Sequence, residues 1–259
     1  LLNDNEPLNT NLDTLSNRVF YLNKGVFNLL NSNFDWSVAH TIKPNYIQYT
    51  SFDGTVQNSG AGTWNMAFGP SGLVGYAAIT GMEQGDMDTT SKPIIWKTID
   101  GGTTWNQLPN YEFTADIAPM VADFIPPTRQ GDVIPSFSSM DLVVDKNDEL
   151  HMICEISGRS TTAIDSFGFI WVGQFSSAMF HLSTGDGMNW DINMIDTVKV
   201  DDGAVGDVGV GIRTQISRTP DGSKIFFTWC TSDPILIATN DVPDLWGKGY
   251  DVDDDEYTY

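Results

Sequence analysis

Basic side chains are scarce in this sequence. Its 259 residues hold 13 Lys and Arg against 34 Asp and Glu, which gives a formal net charge of −21 and a pI of about 4.1. Nucleic-acid backbones and anionic membrane surfaces are bound by clustered Lys and Arg. The composition therefore argues against both as partners, and we predict that the chain binds no nucleic acid.

Cysteine, histidine and long apolar runs are also sparse. Every apolar stretch is short and interrupted by Gly, Pro or Asp, so the sequence predicts no membrane-spanning helix and no membrane insertion. Cys154 and Cys230 are too few for a disulfide framework, and each lies in an apolar run that predicts a buried thiol. The three histidines, His40, His151 and His181, match no zinc spacing, so we predict neither a metal site nor a cofactor.

Helical periodicity is the last feature that the chain lacks. No long segment keeps apolar residues at positions i, i+3, i+4 and i+7, whereas short apolar runs alternate with Asn, Asp, Ser, Thr and scattered Gly. A hydrophobic fraction of 41% with 12% aromatic residues excludes a mainly disordered chain. The length allows one large domain or two modest ones. We predict a folded, all-β protein.

One layout, in which a tight turn joins two apolar strands, occurs three times. Gly72, Asn147 and Gly222 lie in the three turns at an interval of 75 residues. Gly and Asn accept the positive φ that tight hairpins need, and Pro presets φ beside them. The three predicted hairpins span residues 65–79, 140–156 and 214–230.

A second feature follows each hairpin. It consists of a strand, a turn containing Asp, and a Trp that comes seven positions after a Ser or Thr and opens the next strand. The three pairs are Thr98 with Trp105, Ser183 with Trp190, and Thr239 with Trp246.

The segment from Thr98 to Trp105, which reads Thr-Ile-Asp-Gly-Gly-Thr-Thr-Trp, resembles the Asp-box, or BNR repeat, of β-propeller proteins. That motif reads Ser/Thr-x-Asp-x-Gly-x-Thr-Trp. The resemblance implies a turn between the third and fourth strands of a blade. Its Asp would hold turn N–H groups, its Gly would adopt an unusual conformation, and its Trp would pack between strands. The other two copies depart from the motif: Asp186 comes one position late, and Pro243 replaces the Gly.

The resemblance implies an all-β fold, a β-propeller of the Asp-box type. Trp36 is interpreted as the marker of an earlier blade, so that it and the three box tryptophans would mark about four blades. Propellers close with about 4–8 blades. We therefore expect a single domain, or a fragment of one, that belongs to a longer chain with a six- to eight-bladed ring. The predicted blade-like units within 1–259 are 17–42, 63–113, 138–196 and 212–259.

Segments that vary between repeats map to loops, which often form the binding face. On this basis the sequence places a recognition surface in residues 106–139, 157–175 and 201–211. Two acidic segments are weaker candidates for calcium loops. The first, 251–256, lacks the central Gly and distant Glu of an EF-hand and is interpreted as a solvated acidic end, and the second is the pair Asp86 and Asp88.

Catalysis is a separate question, because Asp-box propellers include sialidases and other glycoside hydrolases, while the box itself is structural. Sialidase chemistry needs an arginine cluster, and the family's Arg-Ile-Pro signature is missing here. Acidic residues are too many for a catalytic pair to be nominated, so no catalytic, cofactor-binding or metal residue is assigned. The arginines present are Arg18, Arg129, Arg159, Arg213 and Arg218.

Three functions remain open. The leading hypothesis is a non-catalytic, exported or cell-surface propeller module whose rigidly held loops bind a protein or a glycan. The alternative is a glycoside hydrolase, sialidase-like or with a carboxylate pair, that acts on extracellular glycans. A third is a passenger domain whose acidity serves solubility. Convergent arginines, or carboxylates about 5–9 Å apart in a central pocket, would favour the enzyme. An exposed aromatic patch would favour the binding module.

Overall fold

The computed structural model describes residues 2–7, 16–50, 54, 56–58, 62–86, 90–114, 116–124, 134–159, 161, 176–199, 212–233 and 243–258. The strands among them are β1 (Leu2–Pro7), β2 (Ser16–Asn28), β3 (Asn33–Ile42), β4 (Gln48–Thr50), β5 (Val56–Asn58), β6 (Trp64–Phe68), β7 (Gly75–Gly81), β8 (Lys92–Thr98), β9 (Asn106–Gln107), β10 (Ile134–Val144), β11 (Leu150–Arg159), β12 (Ser176–Thr184), β13 (Asp191–Lys199), β14 (Gln215–Arg218), β15 (Lys224–Thr231), β16 (Asp244–Asp251) and β17 (Glu256–Tyr257). One short helix, α1 (Pro119–Phe124), lies between β9 and β10.

Most strands form antiparallel meanders in which sequence neighbours pair. Sheet 1 contains β1-β2-β3, sheet 2 contains β6-β7-β8-β9, sheet 3 contains β10-β11-β12-β13, and sheet 4 contains β14-β15-β16-β17; β4 and β5 pair separately. The predicted all-β class is confirmed, and the four-stranded meanders are those of a propeller-like fold. The three predicted hairpin turns, which contain Gly72, Asn147 and Gly222, lie at 69–72, 145–148 and 219–222 and join the first two strands of sheets 2, 3 and 4.

The sheets stack face to face through the alternation of side chains along each strand. In β7, Tyr76 and Ala78 belong to the core shared with sheet 3, whereas Ala77 and Ile79 belong to the core shared with sheet 1. Sheet 3 is likewise buried on both faces, because Ile153 lies in the core shared with sheet 4. Two-sided burial explains why β7, β8 and β12 read as nearly continuous apolar runs.

The first strands of sheets 2, 3 and 4 lie side by side. The Asp141 carboxylate on β10 accepts hydrogen bonds from Asn65 Nδ2 on β6 and, at 3.0 Å, from Ile216 N on β14. At the turn end, Arg218 Nη2 donates to Phe68 O at 3.1 Å and joins sheet 4 to sheet 2. The three hairpin turns therefore converge, as the inner strands of propeller blades do around an axis.

The positive φ expected at Asn147 is one residue displaced. In this turn Asp148 has a φ of 64°, whereas Gly72 and Gly222 have φ of 70° and 76° in theirs. Asp148 N donates to Asp145 O, as Gly72 N does to Gly69 O. A short polar side chain such as Asp tolerates this conformation. The residue equivalent to Gly72 and Gly222 is therefore Asp148, one position after the predicted Asn147.

The turn at 98–105 has the local geometry that the resemblance implies. Asp100 Oδ1 accepts hydrogen bonds from the backbone N–H groups of Thr103 and Thr104, each at 2.9 Å. Gly101 and Gly102 have φ of 69° and 83°. Trp105 is buried, and its Nε1 donates to Gly102 O at 3.1 Å.

The second box keeps this geometry in a different register. Asp186 Oδ1 accepts from Met188 N and Asn189 N, and Trp190 Nε1 donates to Gly187 O at 3.0 Å. The hydroxyl at its start belongs to Thr184, whose Oγ1 accepts from Gly187 N at 2.9 Å. Pairing Ser183 with Trp190 was therefore wrong: this box is one residue shorter than the first, and Asp186 is not displaced within it.

The third box was placed on the wrong strand. Trp246 lies on β16, the third strand of its sheet, opposite Trp229 of β15, while Thr239 and Asp241 lie outside the described residues. The turn between the third and fourth strands is 252–255, inside the acidic segment interpreted as a solvated end. In this sheet Tyr257 on β17 supplies the aromatic ring that packs against the core.

The carboxylates of the first two boxes remain ionised well into acid. Hydrogen bonds lower the pKa of Asp100 from 3.8 to about 2, chiefly the bond from the Thr104 backbone N–H. Asp186 is likewise lowered to about 2, chiefly by Asn189. A lowered folded-state pKa stabilises the fold above the unfolded value, and this contribution is lost as the pH falls through about 2.

We therefore predict that both turns persist at pH 3. In an NMR titration, the amide shift of Thr104 should move with a midpoint near pH 2, and this step should vanish in Asp100→Asn. A midpoint near the ordinary value of 3.8 would contradict the hydrogen-bond pattern described for this turn.

No helix among the described residues is long and apolar enough to cross a membrane. Of the two predicted buried thiols, Cys154 lies fully inside the core and its pKa is raised by burial, whereas Cys230 is half-buried.

Candidate functional site

Two of the three loops predicted to form a recognition surface lie almost wholly outside the described residues: of 157–175 the structure describes 157–159 and 161, and of 201–211 none. Of 106–139 it describes 106–114, 116–124 and 134–139. The exposed and buried polar features of the described residues are therefore the candidate sites.

A buried ion cluster lies at the start of β8. Lys92 Nζ lies 2.8 Å from both Asp86 Oδ1 and Glu112 Oε2, and the three side chains are at most 12% exposed. Glu83 lies beside them and accepts a hydrogen bond from Gln107 Nε2 at 2.9 Å. Burial raises the pKa of Glu83. Because Lys92 forms ion pairs with both Asp86 and Glu112, the cluster links the β7–β8 connection to the segment after β9. Asp88, the other predicted acidic ligand, is outside the described residues.

Arg159 and Arg218 lie far apart, because β11 ends away from the hairpin turns whereas β14 ends at its own hairpin turn. Arg159, at the end of β11, donates to Ser136 Oγ at 2.7 Å. Arg218 donates to Thr219 O and Pro220 O at the converging turns. These two side chains therefore do not share a carboxylate-binding site.

A long hairpin projects from sheet 1. The buried residues Phe20, Leu22 and Ile42 hold β2 and β3 against sheet 2. Beyond a register shift at Leu22, the two strands continue as a two-stranded ribbon to a turn at 29–32. We call residues 23–37 the projecting hairpin. Lys24 Nζ donates to Gly101 O at 3.4 Å, which places its base beside the first box turn.

One face of the projecting hairpin is aromatic. Phe27 pairs with Phe34 across the strands, and Gly25 pairs with Trp36. The rings of Phe27 and Phe34 are 5.2 Å apart in an edge arrangement, and Phe34 lies 5.8 Å from Trp36. The Trp36 ring covers Gly25, since a methyl group built there would lie 3.0–3.2 Å from it. The three rings thus form one continuous strip along the ribbon.

The opposite face of the hairpin is polar and satisfied locally. Asn28 Nδ2 donates to Asp35 Oδ2 at 2.8 Å, and Asn28 Oδ1 accepts from Leu30 N. Asn33 Oδ1 accepts from Phe34 N at 2.8 Å. These polar groups lie away from the aromatic strip, because side chains alternate between the two faces of a strand.

The aromatic strip and the hairpin tip are open to solvent. Trp36 is 69% exposed, and the turn residues Leu29 and Leu30 are 84% and 99% exposed. A group of large apolar side chains this exposed is rare in a protein that acts alone, so it is a candidate interaction surface. Phe27 and Phe34 complete the exposed group, and Val26 is exposed on the opposite face, where it pairs with Asp35.

Trp36 was interpreted as the marker of an earlier blade, on the fourth strand of that blade. In the structure it lies on β3, the third strand of sheet 1, and its ring is exposed, unlike that of Trp105. The run Val26-Phe27-Asn28-Leu29-Leu30 could have revealed the site, because Leu-Leu next to Asn and Ser is an apolar turn, and turns are ordinarily polar.

No protein-family model and no curated protein sequence matches this chain. Weak likenesses to solved structures include the following two. The α-L-arabinanase of Penicillium chrysogenum complexed with arabinobiose aligns at a TM-score of 0.35 and 11% identity, over 86% of this chain and 54% of its own. The polysaccharide lyase Uly1 aligns at a TM-score of 0.32 and 10% identity, over 92% of this chain and 53% of its own. This chain thus spans about half of either structure, and likenesses this low assign no activity.

Proposed function

We propose that this chain is a binding module that docks a protein partner through its projecting hairpin. The observation that carries the proposal is the exposed strip of Phe27, Phe34 and Trp36 with the apolar tip at Leu29 and Leu30. Exposed aromatic anchors of this kind supply most of the affinity of protein interfaces when a partner pocket covers them. The partner is a folded protein with an apolar groove bordered by basic side chains.

The charge of the molecule supports a basic rim on that partner. The chain carries a formal net charge of −21, whereas the projecting hairpin carries only Lys24 and Asp35 and is neutral. The acidic body would attract a basic protein over long range, and the apolar hairpin would then be desolvated without burying an unpaired charge. Two copies of this chain would repel each other, which disfavours a homodimer through this surface.

The distribution of polar groups favours a protein over a glycan. Sugar hydroxyls need hydrogen-bond partners beside an aromatic platform, and the amide and carboxylate groups of Asn28 and Asp35 bond to each other on the opposite face. Leu29 and Leu30 are aliphatic and fully open, which suits an apolar protein groove.

The rest of the predicted architecture belongs to the same proposal. The stacked sheets would be blades of an Asp-box propeller that closes its ring in a longer chain, and the rigid stack would present the hairpin at low ordering cost. The box geometry at 98–105 and at 184–190 supports this family assignment. We also propose that the module is exported, which its acidic, Lys- and Arg-poor composition supports.

Site-specific photocrosslinking tests the docking surface. A benzophenone side chain at position 34, on the aromatic face, should crosslink one protein from extracts or culture fluid of the source organism. The same group at position 37, on the polar face, should not. With that partner purified, Trp36→Ala should weaken binding at least about 30-fold, the effect of losing a central aromatic anchor.

Trp246→Ala is the matched control, because Trp246 is a half-exposed tryptophan on sheet 4. It should leave the affinity unchanged, and both variants should unfold close to the wild-type temperature. Equal crosslinking from positions 34 and 37 would overturn the proposal. So would oligosaccharides that quench Trp36 fluorescence, which would assign a glycan, or a sedimentation dimer that Trp36→Ala dissociates, which would assign a second copy.

A further inference from the structure

The turn between β10 and β11 brings two carboxylates and an imidazole together. One potential ligand atom from each of Asp145, Glu149 and His151 lies within 4.8 Å of the other two. Asp145 and His151 are buried, whereas Glu149 is exposed. The group thus opens to solvent on the Glu149 side, where an ion could enter.

The imidazole of His151 points to a ligand. This side chain is 2% exposed, and its Nε2 makes no hydrogen bond within the described part of the chain. Nε2 lies 3.4 Å from Asp145 Oδ2. Two donor atoms that are each about 2.1 Å from a tetrahedral ion are about 3.4 Å apart, so the observed separation fits a shared ion. A buried nitrogen that lacks a partner is otherwise unfavourable.

The Asp145 carboxylate is held in position by its own turn. Its Oδ1 accepts from Asn147 N and Glu149 N, each at 2.8 Å. Its Oδ2 makes two long contacts, 3.3 Å from Asn147 Nδ2 and 3.4 Å from His151 Nε2. Hydrogen bonds of this type orient the ligands of metal ions.

A hydrogen-bond chain continues from the other nitrogen of His151. Its Nδ1 lies 2.8 Å from His181 Nε2, and His181 Nδ1 lies 2.6 Å from Tyr257 Oη on sheet 4. An ion on His151 Nε2 requires the proton on Nδ1, which then donates to His181. His181 in turn donates from Nδ1 to Tyr257. Metal binding would thus set the tautomers of both rings and link sheets 3 and 4.

We infer that Asp145, Glu149 and His151 bind one divalent transition-metal ion of the zinc type, with His181 and Tyr257 as the outer hydrogen-bond chain. An imidazole nitrogen with two carboxylate oxygens suits Zn²⁺, whereas Ca²⁺ and Mg²⁺ prefer oxygen alone. Three protein ligands leave a fourth position for water or an external group. The expectation from sequence that the histidines form no metal site is replaced by this inference.

Calorimetric titration of Zn²⁺ into chelator-treated protein tests the site, with Co²⁺ absorption as a second probe. We expect one ion per chain and a d–d spectrum of tetrahedral intensity. Glu149→Gln should weaken Zn²⁺ binding by about tenfold or more, and His181→Phe, which removes an outer contact, by about 10–100-fold. Glu149→Gln should fold normally, because the turn uses the backbone N–H of this residue.

Glu256→Gln is the control, because Glu256 is an exposed carboxylate in the acidic 251–256 segment. It should bind Zn²⁺ like the wild type. Absence of binding, or several ions per chain whose affinity Glu149→Gln leaves unchanged, would overturn the inference. So would an equal loss in Glu256→Gln, and so would a ¹⁵N spectrum in which Zn²⁺ does not move the proton of His151 to Nδ1.

Discussion

Lys92→Ala is expected to lower the free energy of unfolding by about 3–5 kcal/mol, since it leaves buried carboxylates without their counter-ion. Lys92 Nζ contacts Asp86 and Glu112 at 2.8 Å; the side chains of Lys92 and Asp86 are buried, and that of Glu112 is 12% exposed. Without Lys92, nothing offsets the free-energy cost of burying the two carboxylates. This cost is larger than the net contribution of the intact cluster to stability. Urea unfolding followed by tryptophan fluorescence measures the loss.

The same reasoning predicts a rescue. Lys92→Met combined with Asp86→Asn and Glu112→Gln removes every charge of the cluster, and it should recover most of the lost stability, because neutral replacement of a buried ion group is often nearly neutral. Lys146→Ala is the control: its ion pair with Asp253 is exposed, and surface pairs contribute little. If the triple variant is no more stable than Lys92→Ala, the loss comes from packing and not from charge.

Local features of the fold were predictable from the sequence. The turns at 69–72, 145–148 and 219–222 were identified because Gly, Pro, Asn and Asp restrict backbone conformation within a few residues. The limit appears at Asn147, where both Asn and the following Asp tolerate positive φ and the sequence does not decide between them. The 98–105 turn was predictable for the same reason, because the hydrogen bonds of Asp100 and Trp105 that shape it lie within the turn.

Spacing between distant residues was a weaker guide. The seven-residue interval from Ser or Thr to Trp placed Ser183 in the second box, where Thr184 makes the hydrogen bond, and Trp246 on a fourth strand that β17 provides. The predicted interval counts residues between the Ser or Thr and the Trp, whereas the turn depends on which oxygen accepts a hydrogen bond from which N–H group. The second box has one residue fewer than the first, so its hydrogen bonds are kept although its interval differs.

The sites themselves depend on strand pairing. His151 and His181 are 30 residues apart and meet because they lie diagonally across β11 and β12, which a scan for zinc spacings does not detect. Lys92 meets Glu112 through the turn that connects β8 and β9. The exposure of Trp36 depends on how far β2 and β3 extend beyond sheet 2, and within the hairpin only the apolar turn at Leu29 and Leu30 signals it.

Gly222→Ala and Gly72→Ala form a matched pair that separates backbone strain from steric overlap. Both glycines are at equivalent turn positions, with φ of 76° and 70°. Around Gly72 a methyl group would meet nothing within 4 Å. Gly72→Ala should therefore lower the free energy of unfolding only by the strain of a positive φ, about 1–2 kcal/mol.

At Gly222 the same methyl group would lie 2.5 Å from Lys146 N and 2.8 Å from Asp145 C, both backbone atoms of the neighbouring turn. The turns must separate, which also breaks the hydrogen bond from Lys146 N to Gly222 O. Gly222→Ala should therefore lower the free energy of unfolding by about 2–5 kcal/mol, the strain plus the overlap. Paired urea titrations measure the difference, and equal losses at Gly72 and Gly222 would show that the hairpin turns do not converge in solution. Because the turn of Gly222 lies against the Asp145 turn, this variant should also weaken Zn²⁺ binding, whereas Gly72→Ala should not.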